Sequence, residues 1–555
     1  MERKKLVTDV LIIGGGSTGL IAALEAANHC SDITIICKQK AGRSGNTIVS
    51  GSAFSVVVPE EGNPDSEETY FNDLIRSGKG INQKELTRTL ASLSGGTIKW
   101  LESCGMEFFK TNSQYVKRQP PGHSHPRSVP TIWDGYSYLA RGLSFMKPLS
   151  ESVNKRRIRV LEQTAVTHLL TANGRIAGAI AIDVNESEFI EISCKAIILA
   201  NGGAGGMFAH NNNTVGITGD SYALAYEAGA VLKDMEFVQF YPTQMIKPMK
   251  MPASNPLFGD GAVLRNKDKE LFIHKYVEGG DKAATRDKMA QAIFQEVERG
   301  YGIEGGVYFD CTGIPEEVLD SKYTHFCNQL KKKGVNPKKD MVIVSPTTHY
   351  FLGGVKINTN CESSIPGLYA AGEAATGTHG ANRLSGSSIA DTVVFGRIAG
   401  KSAAEYAAVT QHEKINPQDL TSKLEELKLH PNGDVPLSEM KELVRTIMWR
   451  CASVVREESA LRSGLKSLCK VESSLDNIAV RNFKEVVSYQ ELSNMVTVGK
   501  LTIKGALERK ESRGSHWRRD YPNEREVFLG NFEYSKSSDG DGINYRPLDG
   551  LLINN

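Results

Sequence analysis

The run Asp9-Val10-Leu11-Ile12-Ile13 passes without a break into Gly14-Gly15-Gly16-Ser17-Thr18-Gly19 and then into LIAALEAANHC. A short continuous apolar run reads as a buried strand, and the segment behind the glycines reads as a helix. Gly14, Gly16 and Gly19 therefore form a GxGxxG between strand and helix. The first allows a tight turn, the second close approach of a pyrophosphate, and the third close helix packing, with the free N–H groups of the helix start facing the phosphates. This confines the start of the chain to an α/β, Rossmann-like architecture without choosing among dinucleotides. The next strand, 33–36, ends in Cys37-Lys38, where many such folds place an acid on a ribose hydroxyl.

A second stretch, 345–397, carries both cations and glycine turns. His349 precedes the Gly353-Gly354 pair, and glycine lets a flat ligand approach the backbone. A strand at 368–371 leads through a glycine-rich loop to a helix beginning near Ser387-Ser388, whose first N–H groups are free for an anion or a carbonyl oxygen.

The segments HYFLGG, GLYAAGEAA, HGANRL and VVFGR resemble the flavoprotein subunit of the succinate dehydrogenase and fumarate reductase family, to which L-aspartate oxidase also belongs. The likeness runs over roughly residues 7 to 522. It implies a Rossmann-like FAD-binding domain (1–240 and 345–410) with an inserted capping domain (241–344), then a helical domain (411–523) and a tail (524–555) expected along the surface. The helical part carries KESRGSHWRRDYP, similar to a family signature.

On this resemblance FAD contacts fall on Gly14, Gly16, Gly19, Lys38, Ser44, Thr47, Gly51, Ala200, Gly202, Asp220, Glu373, Ser388 and Ile389. Asp220 is also a candidate helix N-cap. AGRSGNTIVSGSAF resembles the flavin loop in which some members carry a covalently linked histidine; Gly45 stands there, which implies noncovalent FAD and leans toward fumarate reduction or oxidase chemistry rather than succinate oxidation. The substrate side falls on Arg286, His349, Arg383 and Tyr241. Arg383 suits bidentate carboxylate binding, His349 a hydrogen bond to the same group, and Arg286, in DKAATRDKMAQAI, matches the proton-delivering arginine of the family cap. A free arginine holds its proton too tightly for that task, so a carboxylate relay is expected beside it. Two departures mark this pocket: Tyr241 replaces the histidine of FxQFHPT, and Ser254-Asn255 replaces a Thr-Glu pair whose glutamate belongs to the relay.

Lys plus Arg (66) nearly balances Asp plus Glu (64), so no charge field argues for nucleic acid. Nine scattered cysteines without a CxxC pair read as free thiols in a reducing compartment. They offer no iron–sulfur ligand spacing, so electrons are expected from a separate iron–sulfur subunit. The basic lead MERKK and its apolar run resemble a signal peptide, but the run is a strand's length and enters the glycine motif. The expectation is a cytoplasmic chain without a membrane span, associating with a membrane only through partners.

Three functions remain in view: a fumarate-reductase-type enzyme acting on a small carboxylate, L-aspartate oxidase, and a flavin electron-transfer subunit without its own substrate. In RQPPGHSHPRS, Pro120 stands where aspartate oxidase has a glutamate, which with Tyr241 weighs against the second. His123 and His125 of this loop are candidate local hydrogen-bonding residues. Retention of Arg286, His349 and Arg383 together weighs against the third.

Overall fold

The computed structural model describes residues 3–51, 53–253, 256–537 and 540–548. Its largest sheet runs in the order Arg159–Leu161, Ile33–Ile36, Arg3–Ile13, Glu188–Leu199, Arg175–Asp183, Thr164–Ala172. The first four strands are parallel, and Leu368–Ala370 also joins Glu188–Leu199 in parallel. Glu188–Leu199 forks: residues 188–193 face an antiparallel strand, and residues 197–199 face Leu368–Ala370. Parallel strands covered by helices need apolar residues on both faces, and Val10 to Ile13, Ile35, Ile36 and Ile197 to Leu199 are all buried.

The carboxyl ends of these strands lie along one edge, where open α/β sheets bind ligands. Ile13 leads into Gly14, Ile36 toward Lys38, Leu199 into Ala200 to Gly202, and Ala370 toward Glu373. Sequence-distant residues are thereby delivered to one crevice.

A second hydrophobic cluster, spanning Met245 to Val344, has its own sheet in the order Met251–Pro252, Val238–Lys247, Val342–Phe351, Val307–Asp310, Val263–Arg265. Val238–Lys247 and Val342–Phe351 run antiparallel with Tyr241 opposite Thr347, two residues from His349. The helix Arg286–Glu296 packs on these two strands. Beyond the glycine-rich domain the helices Leu437–Ala452, Glu458–Ser473 and Phe483–Glu508 pack against one another. Among the described residues no helix is long and apolar enough to cross a membrane.

The expectation of a surface-lying tail is corrected. Gly530–Ser537 and Gly540–Pro547 form a hairpin that extends the sheet of Leu232–Lys233, Gly354–Lys356 and Ala375–Thr376. Phe532 and Tyr534 alternate onto one face and are buried, the Tyr534 hydroxyl donating to Glu236 at 2.7 Å. Residues 549–555 lie outside the described residues. KESRGSHWRRDYP forms a clamp with buried arginines. Just ahead of it Arg509 pairs with Glu236 at 2.7 Å, and within it Arg513 holds Glu511 at 2.8 and 2.9 Å and Arg518 holds Asp520 at 2.7 and 2.6 Å. Bidentate pairs of this kind fix geometry as well as charge.

Candidate functional site

The glycine turn is built for close approach. Gly14 has φ +122°, and a Cβ there would lie 2.3 Å from the Ala200 carbonyl oxygen. A Cβ on Gly19 would lie 1.9 Å from the Gly14 carbonyl oxygen, so Gly19 supports the turn from behind rather than lining the crevice. Gly16 caps the helix Ser17–Ala26 without any side-chain cap, and a Cβ on it would point into open space. The helix Ser387–Val409 begins in the same way after Gly386. Two uncapped helix starts thus open on one cavity, a fit for an anionic dinucleotide.

Of the expected FAD contacts, Gly14, Gly16, Lys38, Ser44, Thr47, Ala200, Gly202, Asp220, Glu373, Ser388 and Ile389 line that cavity. Gly51 does not, and it is exposed. Lys38 Nζ lies 2.6 Å from both Asp220 and Glu491. Burial works against its charge, but the two carboxylates outweigh that and raise its pKa. Asp220 is the first residue of its helix and the cap is Gly219, so the N-cap alternative is corrected: the carboxylate serves Lys38 and accepts from Asn494 at 3.0 Å. Glu491 and Asn494, both on Phe483–Glu508, tie the helical region to the cofactor cavity; nothing in the sequence singled them out. Burial pushes Glu373 up to about 7; its Oε1 accepts from the Phe351 amide at 3.0 Å, and Asn46 Nδ2 reaches its other oxygen at 3.4 Å.

Gly45 has φ +83°, and a Cβ placed on it would meet no atom within 4 Å. Gly45 offers no nucleophile, so FAD is expected to be held without a covalent bond. Acid precipitation of the holoprotein is expected to leave all the flavin in the supernatant; colour retained in the washed pellet would overturn this.

The substrate-side residues also converge. The Tyr241 and His349 ring centroids are 5.8 Å apart, and the Arg286 guanidinium lies 5.8 Å from the Tyr241 ring. Arg383 lies 4.7 Å over the Tyr350 ring, and its charge, with that of Arg286, reaches His349. Burial first, then these two arginines, holds the His349 pKa well below the usual imidazole value, so the ring is neutral near pH 7. Burial lowers the pKa of Arg286 and brings that of Arg383 down to about 10, both still cationic near neutrality.

Three polar neighbours were missed in the sequence. Asn212 contacts His349 Nδ1 at 3.1 Å and orients the ring. Gln239 accepts from Arg383 Nη2 at 2.8 Å and donates to the Arg383 carbonyl at 2.9 Å. Asn46 bridges the flavin loop to Asn213 at 2.6 Å. Only Gln239 left a trace, as an amide inside the apolar strand FVQFY. His123 is a buried loop residue whose Nε2 lies 2.9 Å from the Ser385 carbonyl, beside the Arg127 pairs with Asp65 and Asp73.

Two expectations change. The Tyr241 hydroxyl donates to the Ala253 carbonyl at 2.8 Å, as does Thr243 at 2.7 Å, so the phenol is committed to the backbone. Among the described residues neither Asp287 nor any other carboxylate hydrogen-bonds or pairs with Arg286, and its Nε is buried without a partner. The expected relay beside Arg286 is therefore absent among these residues. Ser254 and Asn255 lie outside them.

Residues 9–389 match the FAD binding domain model, and residues 441–550 match the fumarate reductase flavoprotein C-terminal model. The chain is 38% identical to an uncharacterised FAD-dependent oxidoreductase of Methanocaldococcus jannaschii, over 94% of this chain and 95% of that one. It is 34% identical to a subunit of the fumarate reductase (CoM/CoB) of Methanothermobacter marburgensis, over 95% and 96%. Among solved structures, Mycobacterium smegmatis Sdh1 in complex with UQ1 superposes with TM-score 0.89 at 28% identity, covering 98% of this chain and 95% of that one. E. coli quinol fumarate reductase FrdA gives TM-score 0.89 at 25% identity, with 99% and 98% covered. With a continuous cradle for FAD and a C-terminal region of the matching kind, this chain belongs to the fumarate reductase and succinate dehydrogenase flavoprotein family.

Proposed function

We propose that the chain reduces the carbon–carbon double bond of a small unsaturated carboxylic acid. The observation that carries this is the pair Arg286 and Arg383, two arginines with buried, unpartnered Nε atoms and no carboxylate partner among the described residues, meeting at neutral His349. Glu373 and Asp391 act on Arg383 through charge alone and without contact, so both buried cations remain costly unless a ligand supplies negative charge at hydrogen-bond distance. FAD, when bound in the adjoining cavity, supplies the hydride.

The chain's own residues would do the rest. Arg383, held by Gln239 and the Leu384 carbonyl at 2.9 Å, binds and polarises the substrate carboxylate, where negative charge accumulates. His349, oriented by Asn212, contacts the same end of the substrate. Arg286 delivers the proton to the carbon that does not receive hydride.

Electrons are proposed to arrive through a separate iron–sulfur subunit. The nine cysteines are unpaired and scattered, and no group of ligands able to hold a metal occurs among the described residues. One experiment tests both parts. Dye-reduced holoprotein is mixed with single unsaturated mono- and dicarboxylic acids, and flavin reoxidation is followed. At least one acid should reoxidise the flavin, while the isolated chain should turn over poorly with NADH. A chain that oxidises aspartate but is inert to every unsaturated acid would overturn the proposal, and fast turnover with NADH alone would remove the partner.

A further inference from the structure

The turn that carries Arg383 is held by a loop, residues 118–128, that lines no part of the cofactor cavity. Arg383 Nη1 donates to the Leu384 carbonyl at 2.9 Å and reaches Ser388 Oγ at 3.4 Å, so its guanidinium is folded back on residues 384–388 and moves with them. Near the middle of this turn the Ser385 carbonyl accepts two hydrogen bonds, from Ser55 Oγ at 2.9 Å and from His123 Nε2 at 2.9 Å. Both of its lone pairs are thus used. The two sides are in close contact: Gly386 has φ +78°, and a Cβ on it would lie 2.3 Å from Ser55 Oγ. A Cβ on Gly122, beside His123, would lie 2.7 Å from Leu384 Cδ2.

His123 is held in turn by Arg127, whose Nη1 lies 3.3 Å from His123 Nδ1. A guanidinium can only donate, so Nδ1 accepts and Nε2 carries the proton that goes to Ser385. Burial is the main cause that brings the His123 pKa down to about 4, which keeps the ring neutral near pH 7. Arg127 is itself buried, with Nε and Nη2 on the two oxygens of Asp65 at 2.8 and 2.6 Å and Nη1 on Asp73 at 2.6 Å. Its guanidinium lies 4.6 Å over the Tyr70 ring. Tyr70 closes the frame, its hydroxyl lying 3.1 Å from both the Ser55 carbonyl and Ser387 Oγ.

Buried ion pairs contribute little net stability, because desolvation offsets their attraction, but bidentate pairs hold direction well. Here the direction is passed on. Asp65 orients Arg127, Arg127 selects the His123 tautomer, and His123 fixes the carbonyl two residues after Arg383. Gln239 steadies the guanidinium from the other side. A shift of the turn would displace a fork that must meet two carboxylate oxygens at once, and such contacts tolerate little misplacement.

We propose that His123 is a positioning residue of the substrate site: through the Ser385 carbonyl it sets the turn that aims the Arg383 guanidinium at the substrate carboxylate. This rests on the carboxylate reading of Arg383 given above. His123 acts through the backbone and touches neither substrate nor cofactor.

The test compares His123→Asn with His123→Gln. Oxidised holoprotein, which does not turn these acids over, is titrated with crotonate and with fumarate while the flavin absorbance difference is read. An asparagine amide ends near the position of Nδ1, so it can accept from Arg127 but falls short of Ser385. A glutamine amide ends near the position of Nε2 and can donate to the Ser385 carbonyl. His123→Asn should bind both acids ~10-fold more weakly, the scale of one buried hydrogen bond, and His123→Gln should stay within about threefold of the wild type. Ser55→Ala, which removes the other donor to the same carbonyl, should weaken both acids as well, and it carries the test if the asparagine variant does not fold. Flavin content should stay at the wild-type level throughout. A residue that merely supports the fold would lower the thermal midpoint and leave the affinity of the folded holoprotein unchanged; that result overturns the assignment. A glutamine variant as weak as the asparagine one, or Ser55→Ala with wild-type affinity, overturns it equally. If neither acid perturbs the wild-type flavin, the carboxylate reading of the pocket falls, and the role of His123 falls with it.

Discussion

Arg286→Gln is expected to keep its flavin and its affinity for substrate while turnover drops by ~10²-fold or more, the usual scale for losing a general acid. Arg286 opens the helix Arg286–Glu296, which packs on the strands Val238–Lys247 and Val342–Phe351, at the positive end of the helix dipole. A cation there is unfavourable for the helix, so its presence serves something other than local stability. Its buried Nε has no partner, and burial lowers the guanidinium pKa. Both effects loosen the proton in the direction an acid needs, and they do so without a neighbouring carboxylate among the described residues. Glutamine keeps the polar shape and removes the transferable proton. Thermal stability should be unchanged or slightly higher, by about 0.3–1 kcal/mol at most, because the unfavourable charge at the helix start is gone. The measurement is single-turnover reoxidation of reduced flavin by the acid identified in the panel, with binding determined separately. Undiminished turnover would show that another group supplies the proton.

The sequence was most informative where backbone chemistry decides. Gly14 and Gly19 could be placed because the turn tolerates no Cβ, and the strand–glycine–helix order dictates the parallel sheet around it. Arg286, His349 and Arg383 could be named only through motif resemblance, since they lie far apart in the chain and periodicity says nothing of strands from different segments meeting at one crevice. What stayed hidden were polar residues whose role depends on a partner in another element. Asn212 matters through His349, Glu491 through Lys38, and Gln239 through Arg383. Asn212 and Glu491 have no local signature, because a side-chain amide or carboxylate on a loop or helix is most often solvated, and Gln239 left only the trace of an amide inside an apolar strand. The tail was misread for a related reason. FEY alternates in the strand period, but the SSDGDG stretch behind it reads as loop composition, and the docking edge belongs to Leu232–Lys233, some 300 residues earlier in the chain.

Tyr241 shows how a correctly located residue can change its meaning. Its position beside Arg286 and His349 follows from the motif. The Ala253 carbonyl that claims its hydroxyl belongs to the loop after the Met251–Pro252 strand, and no pattern in FVQFYPTQM announces that bond. The phenol therefore contributes a ring face to the arginine and a wall to the pocket, which places the burden of anion binding on the guanidinium groups.

Arg383→Ala should differ from the Arg286 variant by losing binding as well as rate. The side chain is buried, makes bonds of 2.8 Å to Gln239 and 2.9 Å to the Leu384 carbonyl, and leaves Nε without a protein partner. Removing it strands Gln239 and leaves a substrate carboxylate in a dry pocket without its direct partner, a loss of about 3–5 kcal/mol in the manner of breaking one side of a buried ion pair. That corresponds to ~10²–10⁴-fold weaker binding of an unsaturated acid. His349 cannot compensate near neutrality. Losing Arg383 removes one of the charges that keep its pKa low, but burial is the larger cause and remains, so the imidazole stays neutral. Arg383→Lys should recover only part of the affinity, since an ammonium lacks the fork for two carboxylate oxygens. Fumarate and crotonate should both weaken in Arg383→Ala, because Arg383 serves the carboxylate next to the double bond that both acids share. Titration of the oxidised variant read by flavin absorbance measures this, and an Arg383→Ala protein that binds crotonate as tightly as the wild type would move the primary carboxylate site elsewhere.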